Sequence, residues 1–307
     1  MVFTSVVKAE EISILEDSLI KINIKIQACD DDQLRTTLNE QFSEVLRKTL
    51  EQPTSFKYDF AKLKNVVRLS TPDKKYNIFT WMLNNSSGVY KYYGFTQYFD
   101  KKSKKMFVYQ LSDSDTDVGT YNTYGDSTWY GILYYEMVPV KMKKKNMYFV
   151  LGFDANDWVS KKRIIEPIIF DKQGRPSFGA PVFQESPKTV IKKVKVDKNA
   201  PPKPTKKIVK ERDKFRVIFE HSAQASMSLS YNKQLKMIVF DHLAPSDEKY
   251  KGIAAFYAPD FSYDAFVLKQ DKWYLKKNVD ARNPKKVKAQ KTSTIIEEKT
   301  KAPLTEE

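Results

Sequence analysis

Apolar residues near the start of the chain recur every three or four positions. Ile12, Leu15, Leu19, Ile22 and Ile26 form one stripe, and Leu34, Leu38, Phe42, Val45, Leu46 and Leu50 form a second. That spacing puts each set on one face of a helix. Cys29-Asp-Asp-Asp32 falls between the stripes, with carboxylates suited to accept the first free N–H groups of the second helix, and Pro53 ends that helix. Residues 10–52 therefore read as two packed helices whose apolar stripe docks on a core.

From Phe56 the period shortens. β-Branched and aromatic runs of strand length follow at Tyr76–Leu83, Tyr92–Phe99, Met106–Leu111, Trp129–Val140, Met147–Phe153 and Arg163–Asp171. They resume at Phe215–His221, Ala225–Tyr231, Lys236–Asp241, Ala254–Tyr257, Ala265–Lys269 and Trp273–Lys276. Turn-forming stretches such as Asn84–Gly88 and Asp100–Lys105 separate them, and no helical crossover intervenes. The pattern predicts a mainly β fold, an antiparallel meander arranged as a barrel, sandwich or propeller, with an N-terminal helical pair. A parallel nucleotide-binding sheet is disfavoured for want of crossovers.

The β region spans residues 53–283 as a single domain, broken at 186–212. That insert holds Pro187, Pro201, Pro202 and Pro204, many Lys and no aromatic residue. Such a composition buries too little apolar surface to offset its ordering entropy, so the expectation is a flexible basic loop. Residues 284–307 read as a disordered polar tail. Met1–Ala9, ahead of two Glu residues, reads either as a disordered start or as the remnant of a signal peptide.

The net charge is +15. Between Lys188 and Lys214 eleven Lys or Arg face three acids, a surplus of +8, and between Arg282 and Glu307 seven face four, a surplus of +3. The folded body is thus only mildly basic, and the charge sits on the arms. Lys outnumbers Arg 45 to 8, which is not the bias of a surface that reads bases or grips phosphates bidentately, so nucleic acid is an unlikely partner. Cys29 is the only cysteine, which excludes an intramolecular disulfide and a cysteine-rich zinc site. No apolar run reaches the roughly 18 residues of a transmembrane helix.

Several phrases carry a resemblance: Thr71-Pro-Asp-Lys-Lys-Tyr76 leading to Phe79-Thr-Trp81, Gly152-Phe-Asp-Ala-Asn156, Phe178-Gly-Ala-Pro181, Val217-Ile-Phe-Glu-His221, Gln224-Ala-Ser-Met-Ser-Leu229, Ile238-Val-Phe-Asp-His-Leu243 and Tyr263-Asp-Ala265. Together they resemble an uncharacterised family of exported proteins from Bacteroidota, over roughly residues 56–283. The family has no assigned activity. The resemblance implies an extracytoplasmic location, in the periplasm or cell envelope, against the alternative of a cytoplasmic one.

Three sets of residues are candidates for chemistry. His221 and His242, the only histidines, each follow an acid, Glu220 and Asp241, at the end of an apolar strand. Alternation puts Phe219 with His221, and Phe240 with His242, on one face of their strands. Were the strands neighbours, the histidines would converge on a zinc ion or serve as acid and base, although strand-end histidines are more often simply hydrogen-bonded. Asp113, Asp115 and Asp117 offer oxygens at alternate positions, as calcium prefers, but lack the central Gly and closing Glu of a calcium loop. Asp154 and Asp157 are similarly placed, and acidic turns explain both sets. Tyr121, Tyr124 and Trp129 lie in a loop-like stretch and would stack on sugars or bases if exposed. The four Ser residues near His221 lack a Gly-x-Ser-x-Gly elbow, and no Walker loop, dinucleotide fingerprint or His-Glu-x-x-His helix is present.

The sequence therefore points to a non-catalytic envelope or periplasmic protein that binds or scaffolds an anionic component, or another protein, through its Lys-rich segments. No cofactor is predicted. The alternative is a hydrolase using His221 and His242 with neighbouring carboxylates.

Overall fold

The computed structural model describes residues 3–114, 118–140, 142, 146–185, 188–194, 203–209 and 212–280. The chain opens with α1 (Phe3–Gln27) and α2 (Asp32–Leu50). The first helix thus begins nine residues before Ile12, the first residue of its apolar stripe, and the stretch read as a disordered start or signal-peptide remnant is helical from Phe3. Asp31 caps α2 by accepting the Leu34 N–H at 2.7 Å, and Pro53 opens a short 3-10 turn just beyond it.

Four strands follow: β1 (Val67–Ser70), β2 (Tyr76–Asn84), β3 (Tyr90–Asp100) and β4 (Lys105–Ser112), paired antiparallel in that order as a first sheet. A second sheet is built from β5 (Tyr124–Gly125), β6 (Leu133–Val138), β7 (Met147–Asp154), β8 (Ser160–Phe170) and β9 (Pro176–Phe178) in the order β5-β9-β8-β7-β6. Then come β10 (Phe183–Gln184), β11 (Lys188–Val194), β12 (Lys203–Val209) and β13 (Val217–Ser222). The long β8 serves two neighbours on one edge. Its last residues pair β9, and Ser160–Ile165 pair β13. The chain closes with β14 (Leu229–Asn232), β15 (Met237–Pro245), β16 (Tyr257–Lys269) and β17 (Lys272–Lys276), a third sheet in the order β10-β17-β16-β15-β14.

These elements stack as four layers: helices, first sheet, second sheet, third sheet. The helical stripe Ile12, Leu19, Phe42, Leu46 and Leu50 packs on Phe79, Trp81 and Phe95 of the first sheet, and Trp81 Nε1 donates to Asn39 on α2 at 2.8 Å. The opposite face of β2, Tyr76 and Ile78, meets Tyr148, Val150 and Phe170 of the second sheet. The opposite face of β7, Met147, Phe149 and Leu151, meets Phe240, Phe266 and Trp273 of the third. Strands β2 and β7 are therefore buried on both faces, which is why they read as continuous apolar runs. The mainly β, antiparallel reading with an N-terminal helical pair holds. Among the three arrangements left open, the stacked sheets are sandwich-like, and among the described residues no sheet closes into a barrel.

Two local expectations are corrected. Ala254–Phe256 is a 3-10 turn ahead of β16 rather than a strand. The basic segment read as a flexible loop holds β11 and β12, paired antiparallel from Lys188↔Val209 to Val194↔Lys203. Its β-branched residues Thr189, Val190, Ile191, Val194, Thr205, Ile208 and Val209 supply strand propensity that its prolines and lysines mask in composition. Among the described residues this ribbon pairs with no other strand. The polar tail from residue 284 lies outside the described residues.

Candidate functional site

The aromatic loop is split between surface and core, with Tyr121 exposed, Tyr124 half-buried and Trp129 buried. Trp129 is fully buried and its Nε1 donates to the Tyr134 hydroxyl at 3.1 Å. That hydroxyl donates to Glu166 at 2.6 Å, and Arg216, fully buried beside β13, donates its Nε to the other Glu166 oxygen at 2.6 Å. The remaining Arg216 nitrogens donate to the carbonyls of Gly119, Asn122 and Phe178, and its guanidinium lies 4.7 Å from the Tyr124 ring centre. Burial pushes the Tyr134 hydroxyl far above its ordinary pKa, with the Glu166 charge adding to it. Trp129 is thereby withdrawn as a stacking surface for an external ligand, and Tyr124 is half-buried with Arg216 near its ring. Tyr121 remains exposed, with Arg212 5.2 Å from its ring centre.

The acidic turns are likewise engaged. Asp113 accepts the Tyr92 N–H at 2.9 Å and forms an isolated parallel bridge with Trp129, while Asp115 and Asp117 lie outside the described residues. Asp154 is buried and accepts the hydroxyls of Tyr92 and Tyr130 and the N–H of Asn156. Asp157 Oδ1 accepts the N–H groups of Val159 and Ser160. Among the described residues no three His, Cys, Asp or Glu side chains are gathered as a metal site requires.

The two histidines take different positions. His221 ends β13 opposite Lys161 of β8 and is buried. Its Nδ1 lies 2.9 Å from the Ser222 carbonyl, which can only accept, so Nδ1 carries the proton and the neutral ring leaves a lone pair on Nε2. That Nε2 is buried and has no hydrogen-bond partner. Burial lowers the His221 pKa, and the nearby charges of Arg163 and Lys161 lower it further against the opposing Ser222 contact. Glu220 points away and accepts the Ser160 hydroxyl at 2.6 Å. An unfolded chain thus takes up a proton at about pH 6.5 that the native one refuses. Stability is expected to fall as pH drops below that value and to level off below the native pKa. Urea unfolding across this window should show a shallower slope for His221→Phe, and an unchanged slope would refute the assignment.

His242 lies on β15 where the ladder with β16 breaks. Asp241 pairs Tyr263 and Leu243 pairs Pro259, so residues 260–262 bulge opposite His242. The bulge carries Phe261 at φ +68, a conformation costly for a bulky residue, with its side chain 96% exposed. His242 Nδ1 donates to the buried Asp264 carboxylate at 2.8 Å, and the other Asp264 oxygen accepts the Asn278 N–H at 2.9 Å. The imidazole, its side chain 39% exposed, lines a cleft of about 260 Å³ between the second and third sheets. Phe219, Phe240, Phe266 and Leu275 line its apolar part, and Glu185, Asp241 and Lys277 its polar part. His221 is not among the lining residues, so the structure brings one histidine and a set of carboxylates to the cleft, not both histidines. Sequence reading missed Asp264, which lies 22 residues from His242 and meets it only through strand pairing.

A larger groove of about 560 Å³ lies between the helical pair and the first sheet, with Ile26, Met82, Tyr90 and Leu133 in its wall. Its Arg35 is committed to the carbonyls of Cys29 and Asn84 and to Asp32. The described helices include none long and apolar enough to cross a membrane. Comparison with protein-family models, with curated proteins and with solved structures returned no match.

Proposed function

We propose that this chain is a non-catalytic binding or scaffolding protein of the cell envelope, and that its Lys-rich ribbon is the part that meets an anionic partner. The observation that carries this reading is the ribbon itself: six Lys and no acid in the fourteen residues of β11 and β12, which among the described residues pair with no strand of the stacked sheets. The envelope location is what the family resemblance implies. Lysine charges are compact and carried on flexible stems, so the contact is electrostatic and weakly selective, and it is screened over about 8 Å at physiological ionic strength.

Replacing residues 186–212 by a short Gly/Ser turn is expected to leave the cooperative unfolding transition nearly unchanged, because loop closure depends slowly on length. Retention on phosphatidylglycerol vesicles should weaken at least tenfold and lose most of its salt dependence. Changing the six strand lysines to Gln should do the same with the ribbon kept. Unchanged retention in both variants would overturn the reading, and stronger retention on duplex DNA or a sulfated glycan than on vesicles would reassign the partner. The alternative, a hydrolase, has in its favour the carboxylate-oriented imidazole of His242.

A further inference from the structure

We infer that the groove between the helical pair and the first sheet is a binding site for a small carboxylate with an apolar body, of the size and chemistry of a medium-chain fatty acid. The site is separate from the ribbon, and its chemistry follows from how the groove arises and from the sign of the charges in its wall.

The groove exists because β1 is short. It begins at Val67, opposite Thr80, so among the described residues 81–84 of β2 have β3 on one edge and no strand on the other. Lys64 and Asn65, just ahead of β1, and Ile26 and Gln27, at the end of α1, flank the gap instead. The volume left, about 560 Å³, falls within the roughly 300–1,000 Å³ of small-molecule sites. Its apolar wall is the seam of two cores. Ile26 belongs to the helix–sheet core, and Met82, Tyr90 and Leu133 pack against the core between the first and second sheets. Apart from Tyr90 these side chains are not aromatic, which suits a hydrocarbon chain better than a stacked ring.

Charge decides the head group. Two cations, Arg35 and Lys64, line the groove, and no carboxylate does. Arg35 is paired with Asp32 at 3.0 Å, and its remaining contacts are donated to the carbonyls of Asn84 and Cys29. The guanidinium thus covers a strand oxygen and a helix-end oxygen that would otherwise repel an anion. Four of its five N–H groups are used in this way, which leaves one on Nη2. Lys64 is exposed and ion-paired to none of the described residues, so the charge left uncompensated in the wall is positive. The side-chain amides of Gln27, Asn65 and Asn84 make no hydrogen bond to a described residue and add neutral donors. An ammonium head would meet Lys64 as a like charge and find no carboxylate in the wall. A phosphate would call for the bidentate grip of a free guanidinium, and that of Arg35 is largely spent. A carboxylate needs only the lysine and one or two amides.

The test uses the full chain and octanoate, with octanamide as the neutral isostere and octylammonium as the opposite charge. Calorimetry at low salt should show octanoate binding about fivefold more tightly than octanamide, the most that an exposed ion pair supplies. Octylammonium should bind most weakly, and added salt should shrink the preference for octanoate. In a ¹³C methyl spectrum octanoate should move the Met82 and Leu133 resonances. Lys64→Gln, a change at an exposed position, should bind octanoate and octanamide alike and keep the wild-type affinity for octanamide. No binding of octanoate, equal binding of octanoate and octanamide by the wild type, stationary Met82 and Leu133 methyls, or an undiminished preference in Lys64→Gln would each overturn the inference.

Discussion

Arg216→Ala is expected to lower the unfolding free energy by about 3–5 kcal/mol, the range for removing one partner of a buried ion pair. Arg216 is fully buried, pairs with Glu166 at 2.6 Å and donates to three backbone carbonyls, so its loss strands a buried carboxylate and uncaps the 119–124 loop. Gly179, at φ +94, packs against the same guanidinium, where a Cβ would come within 2.6 Å of Nη2. The guanidinium is thus enclosed on every side. Denaturant titration of Arg216→Ala, Glu166→Leu and the double variant gives the decisive comparison. The two residues touch, so the double variant should lose markedly less than the sum of the single losses. Strict additivity would mean that the pair is incidental and that the loop is held by its backbone contacts alone.

Phe149→Ala is expected to cost about 3–5 kcal/mol by the same measurement, as large-to-small changes at buried aromatics do. Phe149 is fully buried in β7 and meets Trp273 edge-on at 5.4 Å and Phe183 at 6.1 Å, so it joins the second sheet to the third. The hole cannot close by collapse, because Tyr148 and Val150 on the other face of β7 hold that strand against the first sheet. Phe261→Ala provides the contrast. Its ring is almost wholly in solvent, and stability should stay within about 0.5 kcal/mol of wild type. A large loss there, or a small one at Phe149, would contradict the layered core.

What the sequence determined by itself is local. The three-to-four spacing from Ile12 to Leu50 and the acids at 30–32 specify two helices, and Asp31 caps the second as its chemistry requires. The β-branched and aromatic runs specify most strands, because period and turn chemistry act over a few residues. Tertiary structure decided the rest. Which face of β2 meets helices and which meets a sheet depends on four layers stacking, and a strand apolar on both faces does not announce its neighbours. Tyr121–Trp129 has the composition of an exposed loop and is exposed over much of its length, yet Trp129 is buried, and Arg216, more than 85 positions beyond it in the numbering, holds the loop by the Asn122 carbonyl. The ribbon's lysines outweigh its β-branched residues in any compositional reading, while the cross-strand register that orders it is a property of the pair. His242 was visible as a histidine after an acid, but its partner is Asp264 rather than Asp241. Asp241 accepts the Ser228 N–H instead, and the pairing of Phe240 with Asp264 sets Asp264 diagonal to His242, within 2.8 Å.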